Sequence, residues 1–161
     1  MSYFIVIRGP LGIGKTTIAR ALAKKLNAEY ISIDKVLEEN GLDKENNDFL
    51  PEDFVKANEI VLPKVKKDLS KGKIVIFDGC FYFKEQVEHL EKNLPMKHYI
   101  FNLKAPVETC IERDSKRKKV YGGKAAGEVF RLVSAFDYGI IINTDNKTPE
   151  QVVREILSYV K

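Results

Sequence analysis

The sequence predicts an α/β fold built as a three-layer sandwich, with a five-stranded parallel sheet covered by helices on both faces. Two observations carry this expectation. Short apolar segments alternate with segments of helical period five times over 161 residues, which is the pattern of strands joined by helical crossovers. The run Ile74-Val75-Ile76-Phe77 is continuously apolar rather than alternating, as a strand covered on both faces should be.

Each element follows from its residues. Tyr3 to Arg8 is short, apolar and β-branched, Gly9 to Gly14 is a turn, and Ile18, Leu22 and Leu26 then recur at helical spacing beside Ala19 and Ala23. Tyr30-Ile31-Ser32-Ile33 reads as the second strand. Asp34 to Pro51 is polar and weakly patterned, and Pro51-Glu52-Asp53 suits a helix start. The helix that follows stacks Ala57, Val61, Val65 and Leu69 on one stripe, with Pro63 predicting either a kink or two helices. Ile74 to Phe77 is the third strand, Val87, Leu90 and Leu94 mark a helix, and Tyr99 to Leu103 is the fourth strand. Pro106 opens a helix with Val107, Cys110 and Ile111; another carries Ala125, Val129, Leu132, Val133 and Phe136. Gly139 to Ile142 is the fifth strand, and Thr148-Pro149-Glu150-Gln151 is a capping box that starts the final helix.

Composition narrows the class. With 44% hydrophobic and 31% charged residues, the chain is neither disordered nor fibrous. Its apolar runs fall far short of the ~20 residues a bilayer requires. The length suits one domain over residues 1–161. Cys80 and Cys110 lack the spacing of a metal knuckle and the count of a disulfide framework, and the start of the chain has no signal pattern. A reducing, cytoplasmic setting is therefore expected. The net charge of +4 is unevenly placed: residues 113–124 carry six basic side chains and one acid, for +5, and the remainder sums to −1.

Gly9-Pro10-Leu11-Gly12-Ile13-Gly14-Lys15-Thr16 fits G-x-x-x-x-G-K-[ST] without mismatch, between an apolar strand and an amphipathic helix. Glycines let successive backbone N–H groups turn inward around a phosphate, and the following helix aims its positive end at the same point. The residues expected to bind the nucleotide there are Gly9, Gly12, Ile13, Gly14, Lys15, Thr16 and Thr17. Lys15 reaches the β- and γ-phosphates, and the Thr16 hydroxyl can ligate Mg²⁺. Asn146-Lys147-Thr148-Pro149 has Pro where a guanine-reading Asp belongs, so ATP is favoured over GTP. Phe77-Asp78-Gly79-Cys80 lacks the Glu that would polarise water in a motor or transporter ATPase, which favours transfer to an acceptor over hydrolysis.

On these residues the sequence resembles the P-loop small-molecule kinases, a group with nucleotide kinases, adenylylsulfate kinase, gluconate kinase and polynucleotide-kinase-like enzymes. The resemblance spans nearly the whole chain. Besides the phosphate loop it rests on Asp34 closing the second strand, Asp78-Gly79 closing the third, and Cys110-Ile111-Glu112-Arg113-Asp114-Ser115-Lys116, which is similar to a run in adenylylsulfate kinases. It implies a P-loop NTPase fold with strand order 2-3-1-4-5 and Mg-ATP as the phosphoryl donor. It also implies Asp78 as an outer-shell partner of Mg²⁺ and Asp34 as the carboxylate that accepts the acceptor's proton. Asn143 to Thr148, with Thr144, would lie beside adenine. Either Asp could instead cap a helix, and Phe81-Tyr82-Phe83 could line the acceptor pocket or belong to the core. Two departures leave the acceptor open: Lys35-Val36-Leu37-Glu38 offers no Arg, and Arg117-Lys118-Lys119 stands where adenylylsulfate kinase has Gly-Leu-Tyr.

Beside a phosphate loop, residues 113–124 read as a lid, with Arg113 and Arg117 on one helix face and Tyr121-Gly122-Gly123 as hinge. Both arginines would disperse charge on the transferred phosphoryl group. The function expected is transfer of the γ-phosphoryl to a small hydroxyl- or phosphate-bearing acceptor, such as a nucleotide, nucleoside or adenylyl sulfate. A 5′-hydroxyl polynucleotide kinase, with the basic window on nucleic acid, is the second reading. An ATP-binding switch without transfer is the third. No membrane partner is expected, and oligomeric state is not legible.

Overall fold

A computed structural model describes residues 1–43, 50–116 and 122–161, without the side chains of 124–126. Its strands are β1 (Phe4–Arg8), β2 (Glu29–Ser32), β3 (Val75–Gly79), β4 (His98–Lys104) and β5 (Ile140–Asn143). All pair in parallel in the order β2-β3-β1-β4-β5, the order the resemblance implies. The helices are α1 (Lys15–Leu26), α2 (Ile33–Glu39), α3 (Pro51–Ser70), α4 (Lys84–Asn93), α5 (Val107–Ser115), α6 (Gly123–Ser134) and α7 (Pro149–Tyr159).

Alternate side chains of the buried strands feed two cores. Phe4, Val6 and Phe77 pack under α3 and α4, while Ile5, Ile7 and Ile76 pack under α1 and α7. β1 and β3 are buried along their whole length. The phosphate loop therefore leaves a fully buried part of the sheet, and Asp78 lies beside Ile7 in the register of β1 and β3.

The structure changes one sequence expectation and narrows two that were open. Residues 33–39 form a helix rather than the end of a strand and a loop; Ser32 Oγ accepts from Lys35 N–H, and Ile33 and Leu37 are buried. At seven residues, α2 is too short to show a period. Pro63 neither ends nor divides α3, because it lies on the exposed side of a continuous 20-residue helix, where water can take the carbonyl it leaves unpaired. Phe81 and Tyr82 are core side chains, 1% and 8% exposed, and Phe83 packs against the same cluster. The capping box at Thr148 and Gln151 forms as expected. Among the described residues no helix is long and apolar enough to cross a membrane.

Candidate nucleotide site and its relatives

The phosphate loop is held open by its glycines. Gly14 caps α1 with φ 99° and no side-chain acceptor, and the first turn of the helix holds no acidic residue, so its N–H groups are left for a ligand. Gly12 has φ 76°, and a Cβ there would lie 2.1 Å from the Cys110 carbonyl oxygen. The loop is thus stacked directly on the backbone of α5, which carries Arg113. Such a cradle of inward N–H groups at a helix N-terminus fits a nucleotide phosphate.

Lys15 folds back over its own loop, its ammonium donating to the Pro10 carbonyl at 2.9 Å, and is 7% exposed. Burial pulls its pKa down, but Cys80, Asp78 and Asp34 pull it up, and the net direction is upward. Lys15 is therefore a retained cation. Burial pushes the neighbouring Cys80 thiol up.

Asp78, 3% exposed, accepts two hydrogen bonds on one oxygen: from Thr16 Oγ1 at 2.8 Å and from the Tyr30 hydroxyl at 2.6 Å. Burial, then the bond to Asp78, pushes the Tyr30 phenol up to about 12, and the Arg20 guanidinium lies over its ring at 5.4 Å. Neither candidate Asp caps a helix, since Ser32 caps α2 and Phe83 precedes α4. A threonine hydroxyl against a carboxylate supplies only oxygen donors, the chemistry Mg²⁺ takes alongside substrate phosphates. Among the described residues no cluster of three His, Cys, Asp or Glu forms a metal centre.

Lys15, Thr16, Thr17, Asp34 and Arg113 line one cleft of about 220 Å³. Asp34 enters it from the exposed side of α2, and Arg113 from α5, with Nη1 donating to the Ile13 carbonyl at 3.1 Å. Gly9, Gly12, Ile13 and Gly14 form the loop around them. Thr144 stands apart: it is 2% exposed and its hydroxyl donates to the Lys104 carbonyl. Arg117, with most of the predicted lid and its Tyr121 hinge, lies outside the described residues.

Arg8, the residue before the phosphate loop, was not singled out by the motif. It is fully buried and donates to Phe81 O at 3.0 Å, Asn102 Oδ1 at 2.7 Å, Phe136 O at 3.2 Å and Val133 O at 2.7 Å. Its guanidinium also lies over the Phe136 ring at 4.1 Å, and burial lowers its pKa to about 10. It ties the end of α6 and the segment after β3 to the root of the loop. The available signal was a charged residue ending an otherwise apolar buried run.

Fold and cleft together define a P-loop nucleotide-binding protein. The AAA-domain family matches residues 5–130. A "Putative adenylate kinase" of Pyrococcus furiosus is 34% identical to this chain, covering 97% of it and 83% of that protein. Shikimate kinase of Bacillus subtilis is 29% identical, covering 98% and 88%. Among solved structures, the Mycobacterium tuberculosis APS kinase in complex with AMPPNP and APS superposes with TM-score 0.75 at 16% identity, covering 98% and 96%. The chain belongs to the AAA-domain family and is a P-loop small-molecule kinase.

Proposed function

We propose that this kinase transfers the γ-phosphoryl of Mg-ATP to a small acceptor bearing a hydroxyl or phosphate group, of the kind that nucleotide, shikimate and adenylylsulfate kinases use. The observation that carries this reading is the convergence of Lys15, Thr16, Asp34 and Arg113 on one cleft at the mouth of the phosphate loop. There is no Glu after Asp78 to activate water, which supports transfer over hydrolysis.

Each residue then has a task. Backbone N–H groups from Gly12 to Thr17 hold the donor's phosphates, and Lys15 leaves Pro10 O to reach the β- and γ-oxygens. Thr16 and Asp78 would hold Mg²⁺, which would supply positive charge to offset that developing on the transferred phosphoryl group. The Tyr30 hydroxyl fixes the Asp78 carboxylate so that one oxygen stays turned toward Thr16. Asp34 accepts the acceptor's proton and orients its oxygen for in-line attack. Arg113, and Arg117 beyond it, place positive charge over the phosphoryl group. Thr144 and the loop after β5 shape the nucleotide's base end.

The test is a panel of nucleosides, nucleoside monophosphates, adenylyl sulfate, shikimate, sugars and 5′-hydroxyl oligonucleotides with γ-labelled ATP. Label transferred to a small acceptor above the rate of hydrolysis supports the reading. ATP bound with no acceptor labelled removes it and leaves a binding module.

A further inference from the structure

We infer that Asp114 is a positioning residue for Arg113: it holds the start of α6 against the end of α5 and so keeps the guanidinium at the phosphate-loop wall of the cleft. This rests on the reading above that Arg113 places charge over the transferred phosphoryl group, and adds what fixes it there.

Asp114 is an acid in a costly place. It is 1% exposed and lies in the last turn of α5, where a helix presents its negative end. Burying an acid beside carbonyl groups is unfavourable unless donors meet it, and here Oδ2 accepts the Gly122 N–H at 3.0 Å. Gly122 is the residue that opens α6. One position on, a Cβ at Gly123 would lie 3.7 Å from Ile111 Cγ2, so the start of α6 rests on α5.

The same turn of α5 also meets the phosphate loop. The Cβ that Gly12 lacks would lie 2.1 Å from the Cys110 carbonyl oxygen and 3.1 Å from the Asp114 backbone nitrogen, and Arg113 Nη1 donates to the Ile13 carbonyl at 3.1 Å. The turn from Cys110 to Asp114 is thus clasped between the loop and α6. The far end of α6 is tied by Arg8, which donates to Val133 O and Phe136 O from the root of the loop. Phosphate loop, α5, α6 and Arg8 therefore close a ring, in which the bond from Gly122 to Asp114 links the two helices. Breaking that link frees the last turn of α5, whose carbonyls have no partners within the helix, and Arg113 stands in that turn. The contact of Gly12 with Cys110 lies one turn earlier and remains, so the loop keeps its shape for the donor.

A double-mutant cycle on the full chain tests this. It reads transfer of label from γ-labelled ATP to the acceptor that the panel identifies, beside calorimetric binding of ADP. Asp114→Ala should lower turnover by ~10-fold or more, within the ~10²-fold that a misplacement of about 1 Å costs, and leave ADP affinity within about twofold. In an Arg113→Ala background, Asp114→Ala should cost nothing further, because a residue that acts through another has no effect once the other is gone. If Asp114→Ala does not fold, Asp114→Glu, which keeps the charge and moves the carboxyl group out by one methylene, is read in the same two backgrounds with the same expectation. Equal losses in both backgrounds, a parallel loss of ADP affinity, or wild-type turnover in the Asp114 variant overturns the inference and leaves the reading of the site standing. Wild-type turnover in Arg113→Ala removes Arg113 from the reaction, and this inference with it. Label in no acceptor from the wild type removes the kinase reading and everything built on it.

Discussion

The Thr16 hydroxyl donates to Asp78 Oδ2 at 2.8 Å, and this one bond joins the first turn of α1 to the end of β3 across the mouth of the phosphate loop. The same oxygen is held by Tyr30 from β2, so three elements fix a single carboxylate.

Asp78→Asn keeps the shape of this cluster and removes its charge. The Mg²⁺ concentration for half-maximal transfer should rise by ~10–100-fold, as for outer partners of bound metals, with little change in ATP bound without metal. A metal titration of label transfer checks this. An unchanged midpoint takes Asp78 out of the metal site.

Asp34 stands on a different wall and has a different task. Asp34→Asn should leave ATP affinity within about twofold and lower turnover by ~10²-fold or more, the contribution of a positioned base. Calorimetric binding and steady-state transfer separate the two effects. Near-normal turnover would remove Asp34 from the mechanism.

Arg8 holds together what the reaction needs to keep in place. Arg8→Met leaves the Val133, Phe136 and Phe81 carbonyls without their donor and should cost about 2–3 kcal/mol in chemical denaturation. Arg8→Lys should recover only part, because an ammonium cannot span four acceptors arranged for a planar fork. Full recovery by Lys would mean that charge alone, and not the fork, matters at this position.

Much of this arrangement could be read before the structure was known. The phosphate loop is contiguous, so Gly9 to Thr17 declare themselves, and the five apolar runs all became strands. What escaped depends on distance along the chain. Arg8 finds partners 73 to 128 residues away, Tyr30 meets Asp78 across the sheet, and α2 is too short to display a period. The resemblance puts Thr144 beside a base; the bond its hydroxyl donates to the Lys104 carbonyl joins β4 to the loop after β5 and has no local signal in the sequence.

Alkaline titration probes the Tyr30–Asp78 contact. The Tyr30 phenol is raised from 10.0 to about 12, so the folded state holds this proton more firmly than the unfolded chain. Its stabilising effect is complete below pH 10 and is lost as pH rises through that window. Tyr30→Phe has no such proton, and its denaturation midpoint should fall less steeply between about pH 9 and pH 12. Parallel curves for the two proteins would contradict the assignment.

The most direct measurement is transfer of label from γ-labelled ATP to a small acceptor by the wild type and by Lys15→Ala. Transfer above hydrolysis in the wild type, reduced on the order of 10³-fold in Lys15→Ala, is the expected result for losing one preorganised charge at the phosphoryl group. Equal transfer by both proteins would contradict the placement of the reaction at the phosphate loop.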